Sequence, residues 1–282
     1  MKPIKKKKQP LVSIIVNCHN GEKYLSETLS SIIKQTYKNW ELIFWDNNSS
    51  DNSKDIFKKF REKRFKIFST KSKNTLYKSR KLAINKCKGE YISFLDADDM
   101  WMKNKLKKQI KKFNSKIGLV YSNLNVLDQK NNKIKKFTHK TLPSGKITSA
   151  LIRDYKMGVI TVILKKSLLK KLNLNFTTKY NVIGDFDLFV KLSKYTNIEV
   201  VQEPMATYRV HGNNFSLLNE DLTIKEFEHW IKKNKNFYKK ADLSELKISI
   251  RWLKIKNYFS QKNWVKFFFQ IIIFCINIYN IS

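Results

Sequence analysis

The sequence predicts an α/β protein built on a mostly parallel sheet. Three observations point there. Short β-branched runs alternate with helical patterns over residues 11–95. The first, second and fourth runs end on Asn or Asp. Polar, cap-rich loops separate the elements.

The elements follow in order. Leu11-Val-Ser-Ile-Ile-Val16 is a buried strand. Asn20 stands at an N-cap position, with Tyr24, Leu25, Leu29, Ile32 and Ile33 behind it at helical spacing. Glu41–Trp45 is a second strand ending at Asp46. Asn47–Asn52 is a polar loop, and a helix follows to about Glu62. Phe65–Phe68 is a third strand. Residues 75–87 are helical, with Gly89 as the stop. Tyr91–Leu95 is a fourth strand ending at Asp96. Strands are expected again at 117–127 and 158–165. A helix is expected at Leu188–Leu192, an extended stretch at Glu199–Arg209, and helix from Leu222 onward. The stretch near 130–160 has no clear pattern.

Alternating strands and helices put helices on both faces of the sheet. Ligands of such sheets bind beyond the carboxyl ends of the strands. Asn17–Asn20, Asp46–Ser50 and Asp96–Asp99 therefore share one rim.

Composition narrows the class. The chain has 282 residues, 42% hydrophobic and 13% aromatic, so it buries a core and is not disordered. Its formal charge is +34, yet 51 of its 57 basic side chains are Lys. A Lys-, Asn-, Ile- and Phe-rich chain reflects codon drift in an AT-rich genome. Such a charge favours anionic lipid and is no argument for a nucleic-acid partner, which is not expected. The three cysteines (Cys18, Cys87 and Cys275) lack metal-ligand spacing and leave one unpaired, pointing to a reducing compartment. The basic start, residues 1–9, leads into a strand too short and polar-ended for a signal peptide.

Asp96-Ala-Asp-Asp99 is the strongest local signal. Residues two apart on an extended chain face the same side, so Asp96 and Asp98 can meet one ligand. Carboxylates of this kind hold Mg²⁺ or Mn²⁺ together with substrate phosphates. An acidic turn capping the next helix is the plainer reading; the position after a strand in a βα series favours the ligand. Asp46 is a second rim carboxylate, suited to a nucleobase imide, a ribose or its own turn.

Pro10-Leu-Val-Ser-Ile-Ile-Val16, His19-Asn20, Trp45–Ser53 and Gly89–Trp101 together resemble glycosyltransferase family 2, over roughly residues 10–218. The resemblance implies the GT-A fold and an inverting transferase using a nucleotide sugar and Mn²⁺ or Mg²⁺. It implies that Asp46 binds the nucleobase, Asp96 the ribose side and Asp98 the metal, with Asn20 and Arg80 also at the nucleotide. Asn181-Val-Ile-Gly-Asp185 resembles the family's acidic segment, which makes Asp185 the catalytic base. A displacement at the anomeric carbon needs such a carboxylate to take the acceptor's proton. Asp185 also suits a cap for the helix that follows, and Asp187 competes for the base role or contacts substrate.

Tyr208–Ser216 resembles the segment after the base. In an extended chain Arg209 and His211 share a face. The resemblance implies that Arg209 forks onto the diphosphate and that His211 meets a phosphate or the metal; a structural Arg and a surface His are the plainer readings. The chain departs from the family pattern at Asn17-Cys18, Asn47-Asn48, Lys81 and Gly184. Gly184 stands where Glu often precedes the base.

The expected organisation is a basic tail (1–9), a GT-A domain (10–220) and a helical extension (221–282). The apolar run Trp264–Ile281 is broken by Lys266, Gln270, Asn277 and Asn280. It falls short of a clean span of about 20 residues and suits an interfacial helix; packing against the protein and a true span are the alternatives. By the resemblance, the donor is a UDP-sugar and the acceptor a lipid-linked or cell-surface glycan. The protein would work in the cytoplasm, peripheral on the inner face of the plasma membrane. Two other readings are a polyprenyl-phosphate glycosyl synthase and a non-catalytic basic binding protein.

Overall fold

The computed structural model describes residues 9–264, 266, 267, 270 and 271. The basic tail and most of the C-terminal apolar run, including Cys275, lie outside them.

The first half is a series of βα units. β1 (Val12–Cys18), α1 (Glu22–Ile33), β2 (Trp40–Asp46), α2 (Ser53–Lys59), β3 (Phe65–Ser69), α3 (Leu76–Ile84) and β4 (Tyr91–Asp96) follow in turn. β1, β2, β3 and β4 pair in parallel, in spatial order 3-2-1-4. Every residue of β1 and β2 is buried, because helices cover both faces. The strand order reverses at β1 and β4, which is where the rim opens.

The second half closes the sheet with mixed pairing. Its elements are β5 (Met100–Trp101), α4 (Lys105–Ile110), β6 (Ile117–Asp128), β7 (Lys133–Lys136), α5 (Thr148–Arg153), β8 (Ile163–Lys165), α6 (Lys166–Leu172), α7 (Gly184–Ser193) and β9 (Asn197–Val210). Among the described residues the sheet has nine strands, in order β3-β2-β1-β4-β8-β6-β9-β5 with β7 on β6. β9 runs parallel to β6 and carries its C-terminal end to the rim.

Three helices follow: α8 (Phe215–Leu218), α9 (Glu220–Asn234) and α10 (Lys240–Ser260). They do not stand apart from the sheet domain. Trp230, Ile231, Leu243, Leu246 and Ile250 are buried in the same core as the sheet. Each such side chain contributes about 1.5–3 kcal/mol of apolar burial. No helix among the described residues is long and apolar enough to cross a membrane.

Several expected details differ. α2 ends at Lys59, not Glu62, and α3 at Ile84. Gly89 does not stop α3; a Cβ there would lie 2.6 Å from the Ser13 backbone N, so Gly89 permits a close approach to β1. Residues 158–165 are a single 3₁₀ turn, Val159–Thr161, and then the short β8. Asn20 is not the N-cap of α1. It adopts φ +56°, and Gly21 precedes the helix without a side-chain cap. The helix from Leu222 is interrupted between α9 and α10.

Candidate active site

The ends of β1, β2, β4 and β9 meet at one rim. Asn20 ties two of its loops together. Its backbone N–H donates to Ser49 Oγ at 3.0 Å, and its Oδ1 accepts from the Ser50 N–H at 2.9 Å. Asp46 is fully buried at the end of β2. Its Oδ1 accepts from the Ser49 N–H at 3.3 Å, and the Lys54 ammonium stands 3.3 Å from Oδ2. Asp46 as it stands shapes the loop, and a nucleobase reaching it would have to displace Lys54. Beside it, Asn17 is buried with neither amide atom hydrogen-bonded. A buried carboxamide with a free donor and a free acceptor suits a polar ligand.

Asp96 and Asp98 separate in role. Asp96 accepts from Arg80 Nη2 at 2.5 Å. Asp98 Oδ2 lies 3.0 Å from His211 Nε2. Burial, with Asp96 close by, pushes the Asp98 carboxyl above its usual range despite His211. Asp99 is fully buried; its Oδ1 accepts from the Arg209 N–H at 2.8 Å and its Oδ2 has no partner. Burial and the two neighbouring carboxylates raise it far above the usual range.

Among the described residues, no three His, Cys, Asp or Glu side chains stand ready to hold a cation by themselves. Of the expected set, Asp98 and His211 stand together, while Asp96 is engaged by Arg80. Asp98 and His211 remain, next to crowded carboxylates. Two protein ligands of this kind fit a divalent cation completed by substrate phosphate oxygens.

Arg209, expected at the diphosphate, is bonded within the protein. It shares a face with His211, but its guanidinium is buried. Nε donates to the Asp98 carbonyl at 2.9 Å, Nη1 to Gln129 Oε1 at 2.7 Å and Nη2 to Glu27 Oε2 at 2.7 Å. The ring of Tyr24 lies under it, 4.4 Å from Cζ, and also meets the His211 ring at 5.1 Å. With its three nitrogens so engaged, Arg209 braces the Asp98 turn. Arg80 is equally buried and reaches the rim only through Asp96.

Asp185 opens α7. Its Oδ1 lies 3.0 Å from the Tyr77 hydroxyl and its Oδ2 3.3 Å from that of Tyr155. Burial raises its carboxyl, while the Arg80 charge, the Phe186 N–H and both phenols pull it back in part. Asp187 turns away into the core. It is 2% exposed, accepts from Trp230 Nε1 at 2.9 Å and pairs with Lys191 at 2.6 Å. That arrangement ties Asp187 into the core rather than to the rim. The loop before α7 is held by Glu226 of α9, which accepts the N–H groups of Asn181, Val182 and Ile183 at 2.6, 2.9 and 3.1 Å.

Tyr77, Tyr155, Glu27 and Glu226 all support the site and were invisible to spacing arguments. Their contacts cross 105 residues or more of sequence for Tyr77 and 182 for Glu27. A hint for Tyr77 was the neighbouring Gly184, where the family pattern favours a larger residue.

Comparison with known proteins bears on the family and the fold. The family described as Glycosyl transferase family 2 matches residues 13–180. An Escherichia coli protein named UDP-Glc:alpha-D-GlcNAc-diphosphoundecaprenol beta-1,3-glucosyltransferase WfgD is 34% identical over 193 residues, covering 68% of this chain and 73% of its own. The putative teichuronic acid biosynthesis glycosyltransferase TuaG of Bacillus subtilis is 25% identical over 212 residues, covering 74% and 82%. Among solved structures, S. aureus TarS 1-349 in complex with UDP-GlcNAc superposes with a TM-score of 0.69 at 19% identity, covering 93% of this chain and 80% of that one. The mannosyltransferase PcManGT of Pyrobaculum calidifontis, with GDP-Man and Mn²⁺, gives 0.65 at 16% identity, covering 87% and 72%. These two likenesses show the GT-A fold. The chain belongs to glycosyltransferase family 2 and is a glycosyltransferase.

Proposed function

We propose that the protein moves a sugar from a UDP-sugar to a hydroxyl of a lipid-linked glycan, with inversion at the anomeric carbon. The relative with 34% identity is named for UDP-glucose and a diphosphoundecaprenol-linked acceptor. One geometric observation carries the reading. A single buried guanidinium, Arg80, bonds Asp96 on the donor rim and acts by its charge on Asp185. That link supports reading the donor rim and the base as one site.

The acceptor hydroxyl attacks the anomeric carbon as the bond to the diphosphate breaks. Asp185 takes the hydroxyl's proton, its raised carboxyl making it a better base than an exposed aspartate. Asp98 and His211 would hold Mn²⁺ or Mg²⁺, which supplies positive charge against the leaving diphosphate. Arg209 keeps the Asp98 turn in place. Asn17 and Asn20 offer polar contacts to the nucleotide.

The same reading places the protein on an anionic, inner membrane surface. Residues 246–282 contain five Lys and one Arg and no Asp or Glu. Trp252, Phe259 and Trp264 are exposed on this segment. Aromatic side chains among lysines suit the interface of such a leaflet.

Thermal shift tests the donor site. UDP-glucose, UDP-GlcNAc and GDP-mannose would be added with and without Mn²⁺. Metal-dependent stabilisation by the UDP-sugars, lost in Asp98→Ala, is expected. Equal indifference to every nucleotide would sink the proposal.

A further inference from the structure

Gly184 makes room for Tyr77. A Cβ on Gly184 would lie 2.5 Å from Tyr77 Cδ2 and 2.6 Å from its Cγ. Real side chains do not pack so closely, so only glycine lets the phenol ring lie across the first residue of α7. Lying there, the Tyr77 hydroxyl stands 2.5 Å from the Val182 carbonyl oxygen and 3.0 Å from Asp185 Oδ1. Tyr155 reaches the other carboxylate oxygen from the far side, at 3.3 Å. The carboxylate is bracketed, with one phenol to each oxygen. Arg80 of α3 is the charged group facing it, and the Phe186 N–H of α7 completes its surroundings.

A phenol has one proton to donate. Tyr77 has two acceptors in reach, the Val182 carbonyl and Asp185. An ionised carboxylate is the stronger acceptor, and a protonated one loses that advantage. The ring is 3% exposed and packed against Phe176, with centroids 5.4 Å apart, so only the hydroxyl hydrogen is free to move.

We propose that Tyr77 is a positioning residue for the base. Its hydroxyl donates to ionised Asp185 before transfer and turns to the Val182 carbonyl once Asp185 has taken the acceptor's proton. Tyr155 holds the second carboxylate oxygen. The inference rests on Asp185 being the base. In the transfer step the acceptor oxygen bonds to the anomeric carbon. The carbon–oxygen bond to the diphosphate breaks, and its electron pair leaves with the diphosphate. The acceptor's hydroxyl proton ends on Asp185. Tyr77 keeps its own proton and rotates about its C–O bond.

The experiment uses full-length protein with ¹³C-labelled aspartate carboxyls. Asp185 is assigned by the signal lost in Asp185→Asn. Its titration is followed in the wild type, Tyr77→Phe and Tyr155→Phe, beside transfer from UDP-glucose to a lipid-diphosphate-linked GlcNAc across pH. Phenylalanine keeps the ring on Gly184, and melting curves check the fold. Tyr77→Phe is expected to raise the Asp185 midpoint by about one pH unit. The acid limb of kcat/KM should move up with it, and kcat should fall about tenfold. Replacing Tyr77 by 3-fluorotyrosine, a more acidic donor, should move the midpoint down and guards against a poorly folded Phe variant. An unchanged midpoint in both Tyr77 variants, with Asp185→Asn inactive, overturns the role of Tyr77 and leaves the base intact. Wild-type turnover by Asp185→Asn overturns the base and this inference together.

Discussion

His211 Nε2 lies 3.0 Å from Asp98 Oδ2, joining positions 113 residues apart. The turn after β4 and the end of β9 are held together at that contact. The Tyr24 ring lies tilted against the His211 ring, with centroids 5.1 Å apart. Removing either partner leaves the other facing the neighbouring carboxylates Asp96 and Asp99.

Asp98→Ala should abolish Mn²⁺-dependent UDP-sugar binding and lower turnover at least about 100-fold, the scale of a lost transition-state contact. His211→Ala should weaken both by a smaller factor, because one carboxylate ligand remains. Calorimetric titration of Mn²⁺ with UDP present checks each variant.

Arg209→Met tests bracing against direct ligand binding. It strips donors from the Asp98 carbonyl, Gln129 and Glu27 at once. Losing a buried charged donor set should cost roughly 3–5 kcal/mol. Glu27 is exposed, so Glu27→Gln should cost no more than about 1 kcal/mol. Urea unfolding of the two variants gives the comparison. Equal, small effects would contradict the bracing role.

The helical segment after residue 220 should not be dispensable. Glu226 accepts three backbone N–H groups just before Asp185, and Trp230 donates to Asp187. Glu226→Ala leaves those N–H groups unpaired in a buried place and should cost about 2–4 kcal/mol. A chain ending at residue 219 should fail to give a cooperative melt.

Asp185→Asn should separate stability from activity. Folding raises the Asp185 pKa, chiefly by burial. A raised carboxyl adds stability below its unfolded pKa, and that stability is lost as pH rises through the folded pKa. Asparagine carries no charge at any pH. The variant should therefore melt higher than the wild type near pH 8, and the gap should narrow as pH falls and close only below the unfolded carboxyl value of about 3.9. Paired melting curves over that range check the sign, while transfer activity is expected to be absent throughout.

The first half of the fold was legible because its strands are buried on both faces. Leu11–Val16 and Tyr91–Leu95 therefore read as nearly continuous apolar runs, each with a single Ser, and their ends marked the rim. Asp98, His211 and Asp185 could be singled out as candidates because each stands at an element end or in an ordered set. What burial decides was not legible. Arg209 and Asp187 carry the right chemistry for substrate, but their partners Glu27 and Trp230 come from distant helices. The segment at 130–160 resisted reading because β7 is largely exposed and α5 has only six residues, so neither shows a long hydrophobic period. Tyr77 was hidden for the opposite reason: it looks like an ordinary core residue of α3 until Gly184 is placed beneath it.

The central claim is an inverting transfer with Asp185 as base on a donor site built around Asp98. The most direct measurement is transfer from UDP-glucose to GlcNAc carried on a lipid diphosphate, with Mn²⁺, for the wild type, Asp185→Asn and Asp98→Ala. A β-linked product, read by NMR, is expected from the wild type alone. An α-linked product, or wild-type transfer by Asp185→Asn, would contradict it.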